Sequence, residues 1–308
     1  MNDTAPAEPL PRDVAATLES FRRTITEKAE REKARAPEQK PPTKVIQLPM
    51  WPEQTRGTPN TFLRGALFSA IQGKERRALK GELLACQKGQ CIRFTGWQLD
   101  QSDLDVWEQA AELARTHPLG NVCHFSINGF LRALDRPTGK AQHEWLKSSF
   151  RRLMAAGVEI TEGRHTYGGS LLEFARDEID EVYIVRLNPT ILNLYRAGWT
   201  AVDWDIRRRL RRKPLALWLH GWLSSNVENY SVKLETIRQL SGSRNPHMGS
   251  FKRQVQAALA DLQAEGVLRG HSIEDGLVAF DRRPAPAQIR HLAKKVVGND
   301  SPENGPFR

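Results

Sequence analysis

The chain of 308 residues is poor in cysteine and in long apolar runs, and each shortage excludes a class of protein. Its three cysteines, Cys86, Cys91 and Cys123, are odd in number and are spaced for neither a zinc knuckle nor a zinc finger. We therefore expect reduced thiols and no metal site. No apolar run approaches the roughly 20 residues of a membrane-spanning helix, and the first residues lack the regions of a signal peptide. These absences predict a cytoplasmic protein with no membrane partner.

The motifs of several enzyme classes are also missing. There is no Gly-rich loop followed by Lys and Ser or Thr, no HExxH, no nucleophile elbow and no His-x-His pair for a nicking enzyme. His220 is flanked by apolar residues, which predicts a core histidine rather than a ligand. The acidic residues Asp177, Glu178, Asp180 and Glu181 indicate a solvated turn, with a cation site as the less favoured alternative. We expect a binding protein rather than an enzyme, with no cofactor.

What the chain has in excess is positive charge. It carries 46 Lys and Arg residues against 36 Asp and Glu residues, which gives a net charge of +10 and a pI of about 9.7. This balance favours a polyanion as the partner over an acidic protein or a neutral metabolite. The charge alone supports binding to any nucleic acid and carries no information about sequence preference.

Two segments of the chain predict a similar order of elements from their apolar periodicity. The second segment predicts helix Ser231–Leu240, turn Gly242–Pro246, a helix from Pro246 to Gly266 with an apolar stripe, and strands Val267–Leu268 and Leu277–Phe280. The first predicts strand Ile92–Thr95, helix Asp103–Thr116, apolar segment Phe125–Leu134 and helix Lys140–Ala156. It then predicts a hairpin with one strand from Val158, a tip at Gly163–Ser170 and a return strand Leu171–Phe174, followed by a further strand Glu181–Leu187. Both long helices end in the pattern Leu-x-Ala-x-Gly-Val, at Leu153–Val158 and Leu262–Val267.

This order predicts an α+β fold with two tandem winged helix-turn-helix domains. Such domains suit DNA binding, because a helix fits the major groove and a strand loop can reach the flanking backbone. The predicted divisions are a disordered charged arm 1–44, a linear motif and linker 45–63, a first winged-helix domain 64–200, a second 201–283, and a flexible tail 284–308.

The candidate DNA-binding residues are polar or cationic, and those on the two long helices face away from the apolar stripes. They are Lys140, His143, Lys147 and Arg151 in the first domain, and Arg208, Arg211, Arg212, Arg244, His247, Ser250, Lys252, Arg253 and Gln256 in the second. For a single helix, a solvated charged face is the commoner explanation, and the duplication is what favours DNA. For the arginine run 207–213, the alternative to phosphate contact is ion pairing with Asp203, Asp205 and other carboxylates at the domain junction.

A short apolar segment with two prolines precedes the first domain. Its candidate partner-binding residues are Gln47, Leu48, Met50 and Trp51. One interpretation is a linear motif that lays its side chains into a groove of a partner. The alternative is a staple that holds the arm on the first domain, and the sequence does not favour either.

These residues resemble the TrfA-type plasmid replication initiators over about residues 45–283. Gln47–Trp51 stands in the place of that family's Gln-Leu-x-Leu-Phe motif, which is similar to the pentapeptide that binds the bacterial sliding clamp. The other similar stretches are Trp51-Pro52, Pro59-Asn60, Arg64-Gly65-Ala66-Leu67-Phe68, Thr95-Gly96-x-x-Leu99, Asp105-x-Trp107, and Lys233–Arg238 with Gly242-Ser243.

The resemblance implies binding of double-stranded origin DNA at direct repeats (iterons) and melting of an adjacent AT-rich segment into single-stranded DNA. It also implies recruitment of the host replicative helicase and sliding clamp, plasmid copy control, and a homodimer that restrains the active monomer. Two alternatives remain open: a winged-helix transcription repressor, which has no need of a clamp motif, and, less favoured, a DNA-nicking enzyme.

Overall fold

The structure is a computed structural model that describes residues 47–72, 76–117, 120–176, 182–226 and 230–282. The predicted arm 1–44, the predicted tail 284–308 and the acidic cluster 177–181 lie outside the described residues. Within the described ranges, no helix combines the length and the apolar character needed to cross a bilayer.

Helices and strands are mixed along the whole described chain. In order they are β1 Thr55–Pro59, α1 Asn60–Leu63, β2 Phe68–Ser69, β3 Ala78–Leu84, β4 Gln90–Trp97, β5 Leu99–Asp100, α2 Gln101–Arg115, β6 Val122–Ser126, α3 Ile127–Ala133, α4 Lys140–Ala155, β7 Gly157–Glu162, β8 His165–Gly169, β9 Leu172–Arg176, β10 Val182–Leu187, α5 Pro189–Leu192, α6 Leu194–Ala197, β11 Trp199–Asp203, α7 Trp204–Arg209, α8 Pro214–Ser225, β12 Val232–Lys233, α9 Leu234–Leu240, α10 Met248–Ala264, β13 Leu268–Glu274 and β14 Leu277–Arg282.

One order of six elements occurs twice. In the first repeat it is α2, β6, α3, α4, β9 and β10, and in the second it is α8, β12, α9, α10, β13 and β14. In both sheets the last strand lies in the middle and pairs antiparallel with the other two. The strand orders are β6-β10-β9 and β12-β14-β13. The two segments therefore share a topology as well as a sequence pattern.

One strand pairing differs from the expectation. The sequence predicts that Leu171–Phe174 returns beside Val158–Ile160, but β7 pairs with β8 and β9 pairs with β10. The chain reverses earlier than predicted because Gly163 adopts a left-handed φ of +59°, which allows a tight turn directly after Glu162. The hairpin β7–β8 is thus an insertion between α4 and β9, and it extends a four-stranded sheet of order β3-β4-β7-β8.

Buried apolar side chains form two clusters. The first extends along the chain from Leu48 to Trp204, and the second from Leu210 to Phe280. Each long helix contributes to one of them, since Phe150 of α4 lies in the first cluster and Phe251 of α10 in the second.

The sequence predicts a motif and linker over 45–63, and of its described residues 47–63, Leu48, Trp51, Phe62 and Leu63 belong to the first cluster. Thr55–Pro59 forms β1 and pairs antiparallel with β11, and Phe62 in α1 is fully buried. Pro49 and Pro52 interrupt the apolar residues of this segment and exclude a helix there, which is why the sequence indicates a motif and linker.

The two clusters are packed against each other through the turn that joins α9 to α10. The Ala70 N–H donates to the Ser241 carbonyl at 2.7 Å. Gly242, at φ +62°, lies so close to the first cluster that an added Cβ atom would be 2.5 Å from Ser69 Oγ. Helix α8 also contacts α1 and α2. These contacts hold the two repeats in one arrangement.

Candidate nucleic-acid interface

Helix α4 is fixed in place by polar contacts on its inner side. Ser149 Oγ donates to Asp103 Oδ1 at 2.6 Å, and Arg152 Nη2 donates to the same oxygen at 2.7 Å. Asp103 is fully buried and forms part of the capping box that begins α2. The opposite side of α4 is left to solvent, where Lys140 and Arg151 are exposed as predicted.

Two further candidates on α4 are half-buried and contact neighbouring side chains. His143 Nε2 is hydrogen-bonded to Asn128 Oδ1 at 2.8 Å, and Lys147 Nζ donates to Glu144 Oε1 at 2.8 Å. A surface ion pair of this kind contributes little to stability, because water screens both charges. Lys147 can therefore exchange Glu144 for a phosphate with little loss of stability.

Helix α10 has the predicted apolar stripe on its inner side. The buried positions are Phe251, Val255, Ala258, Leu259 and Leu262. Of the candidates for DNA contact, His247, Arg253 and Gln256 are exposed, and Ser250 and Lys252 are half-buried. Asn245 Nδ2 donates to Ser250 Oγ at 3.1 Å, which fixes the turn that leads into the helix. Arg253 and Gln256 lie on the side of α10 that is opposite to the core.

The arginine run 207–213 is largely paired with carboxylates. The pairs are Arg207 with Asp105 and Glu108, Arg208 with Asp205, Arg209 with Glu265, Arg211 with Asp135, and Lys213 with Asp261. The alternative interpretation, ion pairing at the junction, therefore describes most of the run. Arg212 differs, because it is exposed and makes no hydrogen bond or ion pair with any described residue. Arg244 is also exposed, in the turn before α10.

A buried ionic network surrounds Arg207. Its Nε lies 2.5 Å from Asp105 Oδ1 and 3.1 Å from Glu108 Oε2, and Thr58 Oγ1 donates to Glu108 Oε1 at 2.6 Å. Burial raises the pKa of Glu108 to about 7, and the attraction of Arg207 offsets this only in part. Burial, followed by repulsion from Arg207, lowers the pKa of His220 to about 3. These groups are inaccessible to DNA, and we interpret them as structural.

The candidate partner-binding segment lies against the first cluster. Leu48 and Trp51 are each only 3% exposed, and Trp51 Nε1 donates to Glu112 Oε2 at 2.6 Å. Gln47 and Met50 are exposed. This placement favours the staple over the linear motif. Clamp binding through Leu48 and Trp51 stays a prediction, and it requires release of both side chains.

Sequence reasoning missed Arg136. Its guanidinium lies 3.5 Å from the ring centroid of Trp145, and its Nη1 donates to Gln142 Oε1 at 3.2 Å. Together with Arg211 and Arg212 it lines a cavity of about 420 Å³. The signal that could have found it is an arginine in the turn that leads into a predicted reading helix. In the part of the chain that the structure describes, no three His, Cys, Asp or Glu side chains are grouped to hold a metal ion.

The chain is similar in sequence to one protein family and similar in fold to a solved structure. Residues 38–282 match the family described as TrfA protein. Over 248 aligned residues the chain is 27% identical to the plasmid replication initiator protein TrfA of Escherichia coli. The aligned region covers 77% of this chain and 64% of that protein. The chain thus spans less than two thirds of that relative's length. The crystal structure of domains 2 and 3 of RctB has a similar fold, with a TM-score of 0.51 at 14% identity, over 73% of this chain and 98% of that chain.

Proposed function

Because the chain belongs to the TrfA protein family, we propose that it is a plasmid replication initiator that binds iterons in its plasmid's origin. Each topological repeat acts as a winged helix-turn-helix. Helices α4 and α10 are the reading helices, and the hairpins β9–β10 and β13–β14 are the wings. The observation that carries the proposal is the duplicated order of elements, with exposed cations on the outer side of each long helix.

The shape and charge of the two long helices suit a DNA duplex. An α-helix fits the major groove of B-DNA, and two helices on one packed body can enter groove segments about one turn, roughly 34 Å, apart. Arg and Gln side chains donate to base edges, and lysines neutralise phosphates. We expect specific binding in the range of about 10⁻⁸–10⁻¹¹ M at physiological salt.

In this proposal the protein acts by binding DNA rather than by catalysis. Duplex origin DNA is its first ligand, and single-stranded DNA of the melted origin is its second. Melting of the origin, recruitment of the host helicase and sliding clamp, and restraint through a homodimer are the later steps, as the family resemblance implies.

A gel-shift titration tests the proposal. The wild-type chain is added at stated salt to the origin region of its plasmid, with random duplex as competitor. We expect Arg253→Ala to weaken repeat binding by about 1–3 kcal/mol and to affect random DNA much less, because the lost contact is to a base. Arg196→Ala is the matched control, since it removes an exposed arginine from α6. Unchanged binding after substitution of both Lys252 and Arg253 would remove α10 as a reading helix.

A further inference from the structure

A channel with charged side chains in its walls lies beside both proposed reading helices. It consists of a cavity of about 420 Å³ and a second of about 940 Å³. Both cavities are lined by Ile71, Gln72, Arg212 and Pro214, so they adjoin. We call the two cavities together the junction channel.

The junction channel joins the flanks of α4 and α10. Its first cavity reaches Arg136 in the turn before α4 and Gln142 in the first turns of that helix. Its second cavity reaches Arg244 in the turn before α10 and Gln254 on the helix itself. The channel therefore adjoins the beginning of α4 and one side of α10.

The walls of the channel carry an excess of positive charge. The cations are Arg136, Arg211, Arg212, Lys213 and Arg244, and the carboxylates are Asp100, Asp105 and Asp261. Each carboxylate already has a cationic partner, which is Arg76 for Asp100, Arg207 for Asp105 and Lys213 for Asp261. Arg211 is paired with Asp135, which lies outside the walls. The pKa of Arg136 is lowered, first by burial, and Arg211 and Arg212 lower it further. The arginines of the first cavity are therefore close enough to repel one another.

Arg212 is held in a conformation that arginine rarely adopts. Its φ is +69°, in the left-handed region that costs free energy for residues other than glycine. The other non-glycine residues with positive φ in the described ranges are Asp135 and Asp275, and aspartate tolerates this region better. Arg212 is exposed, lines both cavities and makes no contact with a carboxylate among the described residues. A strained cation that has no partner among the described residues is suited to bind an external anion.

We propose that the junction channel receives the sugar–phosphate backbone of the bound duplex between the two segments read by α4 and α10, and that Arg212 is its phosphate anchor. This inference rests on the proposed function, because it requires one duplex to contact both helices. A guanidinium suits the task, since it can donate two parallel hydrogen bonds to one phosphate.

The salt dependence of binding tests the anchor. Affinity is measured by fluorescence anisotropy from 0.05 to 0.3 M salt, on an origin-repeat duplex and on a random duplex. We expect Arg212→Gln to reduce the slope of log K against log salt by about 0.9 on both duplexes, and to weaken both by roughly fivefold at 0.15 M salt. Arg212→Lys keeps the charge and the slope. Arg209→Gln is the matched control, because Arg209 is exposed and lines neither cavity.

Two results would overturn the anchor. One is a wild-type slope for Arg212→Gln on both duplexes. The other is a loss confined to the origin repeats, which would make Arg212 a base reader. If the wild type shows no preference for origin repeats, the proposed function fails, and the slopes on random DNA still decide the role of Arg212.

A second variant tests whether Arg212 is a strained residue or one that stabilises the fold. Arg212→Gly relieves the left-handed backbone, so we expect a melting temperature equal to or above that of the wild type, together with the same loss of slope. A lower melting temperature would show that Arg212 stabilises the fold and would overturn its role as a strained anchor. Binding of a free nucleoside monophosphate that Arg212→Gln abolishes without changing DNA affinity would assign the channel to a small anion instead.

Discussion

Trp51 fastens the segment before β1 to the first cluster. Its ring stacks on Tyr195 with a centroid distance of 6.0 Å, and its Nε1 donates to Glu112. Its carbonyl accepts a hydrogen bond from Arg115 Nη1 at 2.8 Å. Gly57 makes room for the indole, since a Cβ atom at that position would be 2.2 Å from Trp51 Cε3. Contacts to both its ring and its carbonyl therefore hold Trp51 in place.

Removal of the indole should destabilise the protein. We expect Trp51→Ala to lower the free energy of unfolding by about 3–5 kcal/mol, because a large buried aromatic is lost and Glu112 loses a donor. Met50→Ala is the control, since Met50 is 76% exposed and its truncation should change stability by less than about 0.5 kcal/mol. Urea unfolding of the three proteins measures the difference. Equal stability of wild type and Trp51→Ala would contradict the staple.

His220 should make stability depend on pH. Its pKa is about 3 in the folded protein against 6.5 when unfolded, so its contribution is present above pH 6.5 and is lost as the pH falls. Glu108, with a folded pKa of about 7, acts in the opposite sense. From pH 7 to pH 5 we expect the wild type to lose about 2 kcal/mol more than His220→Leu. The same loss in both proteins, measured by urea unfolding, would contradict the shifted pKa.

The sequence predicts residue roles well where they follow a period. The buried stripe of α10, such as Phe251 and Leu259, follows from 3.6-residue spacing and is confirmed. The contacts of Trp51 depend on Tyr195, which is far away in the chain, and no local pattern specifies them. The ion pairs of Arg207 are likewise not specified by a local pattern, because its carboxylate partners lie on α2, far away in the chain.

One buried carboxylate supports helix α4 alongside its apolar contacts with the first cluster. Asp103 accepts hydrogen bonds from Ser149 and Arg152 on α4, and it also pairs with Arg76 at 2.9 Å. Arg76 and Arg152 are mostly covered, so loss of Asp103 would leave two cations poorly solvated. The orientation of the proposed reading helix thus depends on a residue outside it.

A substitution at Asp103 should therefore destabilise the protein. We expect Asp103→Asn to lower the free energy of unfolding by about 3 kcal/mol, because it removes the charge from a buried network. Glu144→Gln, which breaks the exposed pair with Lys147, should change stability little, because water screens both charges. Thermal unfolding of both variants checks this. A smaller effect at Asp103 than at Glu144 would contradict the assigned support of α4.

The two repeats also show where a sequence pattern stops predicting an element. Both long helices end in Leu-x-Ala-x-Gly-Val, and the predicted left-handed cap is confirmed at Gly266, where φ is +73°. Gly157 instead begins β7, because an inserted hairpin follows α4. The sequence predicts the helices and the duplication, whereas the insertion depends on pairing between β7 and the distant strand β4.

At the scale of the whole molecule, the packed junction fixes how far apart α4 and α10 lie. Gly242 and Ser69 are in close contact there, and Ala70 is hydrogen-bonded to Ser241. The repeats cannot separate without breaking these contacts. The DNA segments that the two helices read should therefore have a fixed spacing.

This rigidity predicts a phase requirement in the DNA. An insertion of about 5 base pairs between the two halves of a repeat rotates one half by roughly half a turn. We expect it to reduce affinity to the level of random duplex, while an equal number of base pairs added outside the repeat has no effect. Retention of specific binding after the internal insertion, measured by gel shift, would contradict a rigid junction.

The most direct test of the account is a hydroxyl-radical footprint on one origin repeat with two double variants, Lys140→Ala with Arg151→Ala, and Arg253→Ala with Gln256→Ala. We expect two protected segments about one helical turn apart for the wild type. Each double variant should lose a different one of them. A single protected segment in the wild type, or the same loss in both variants, would contradict two reading helices.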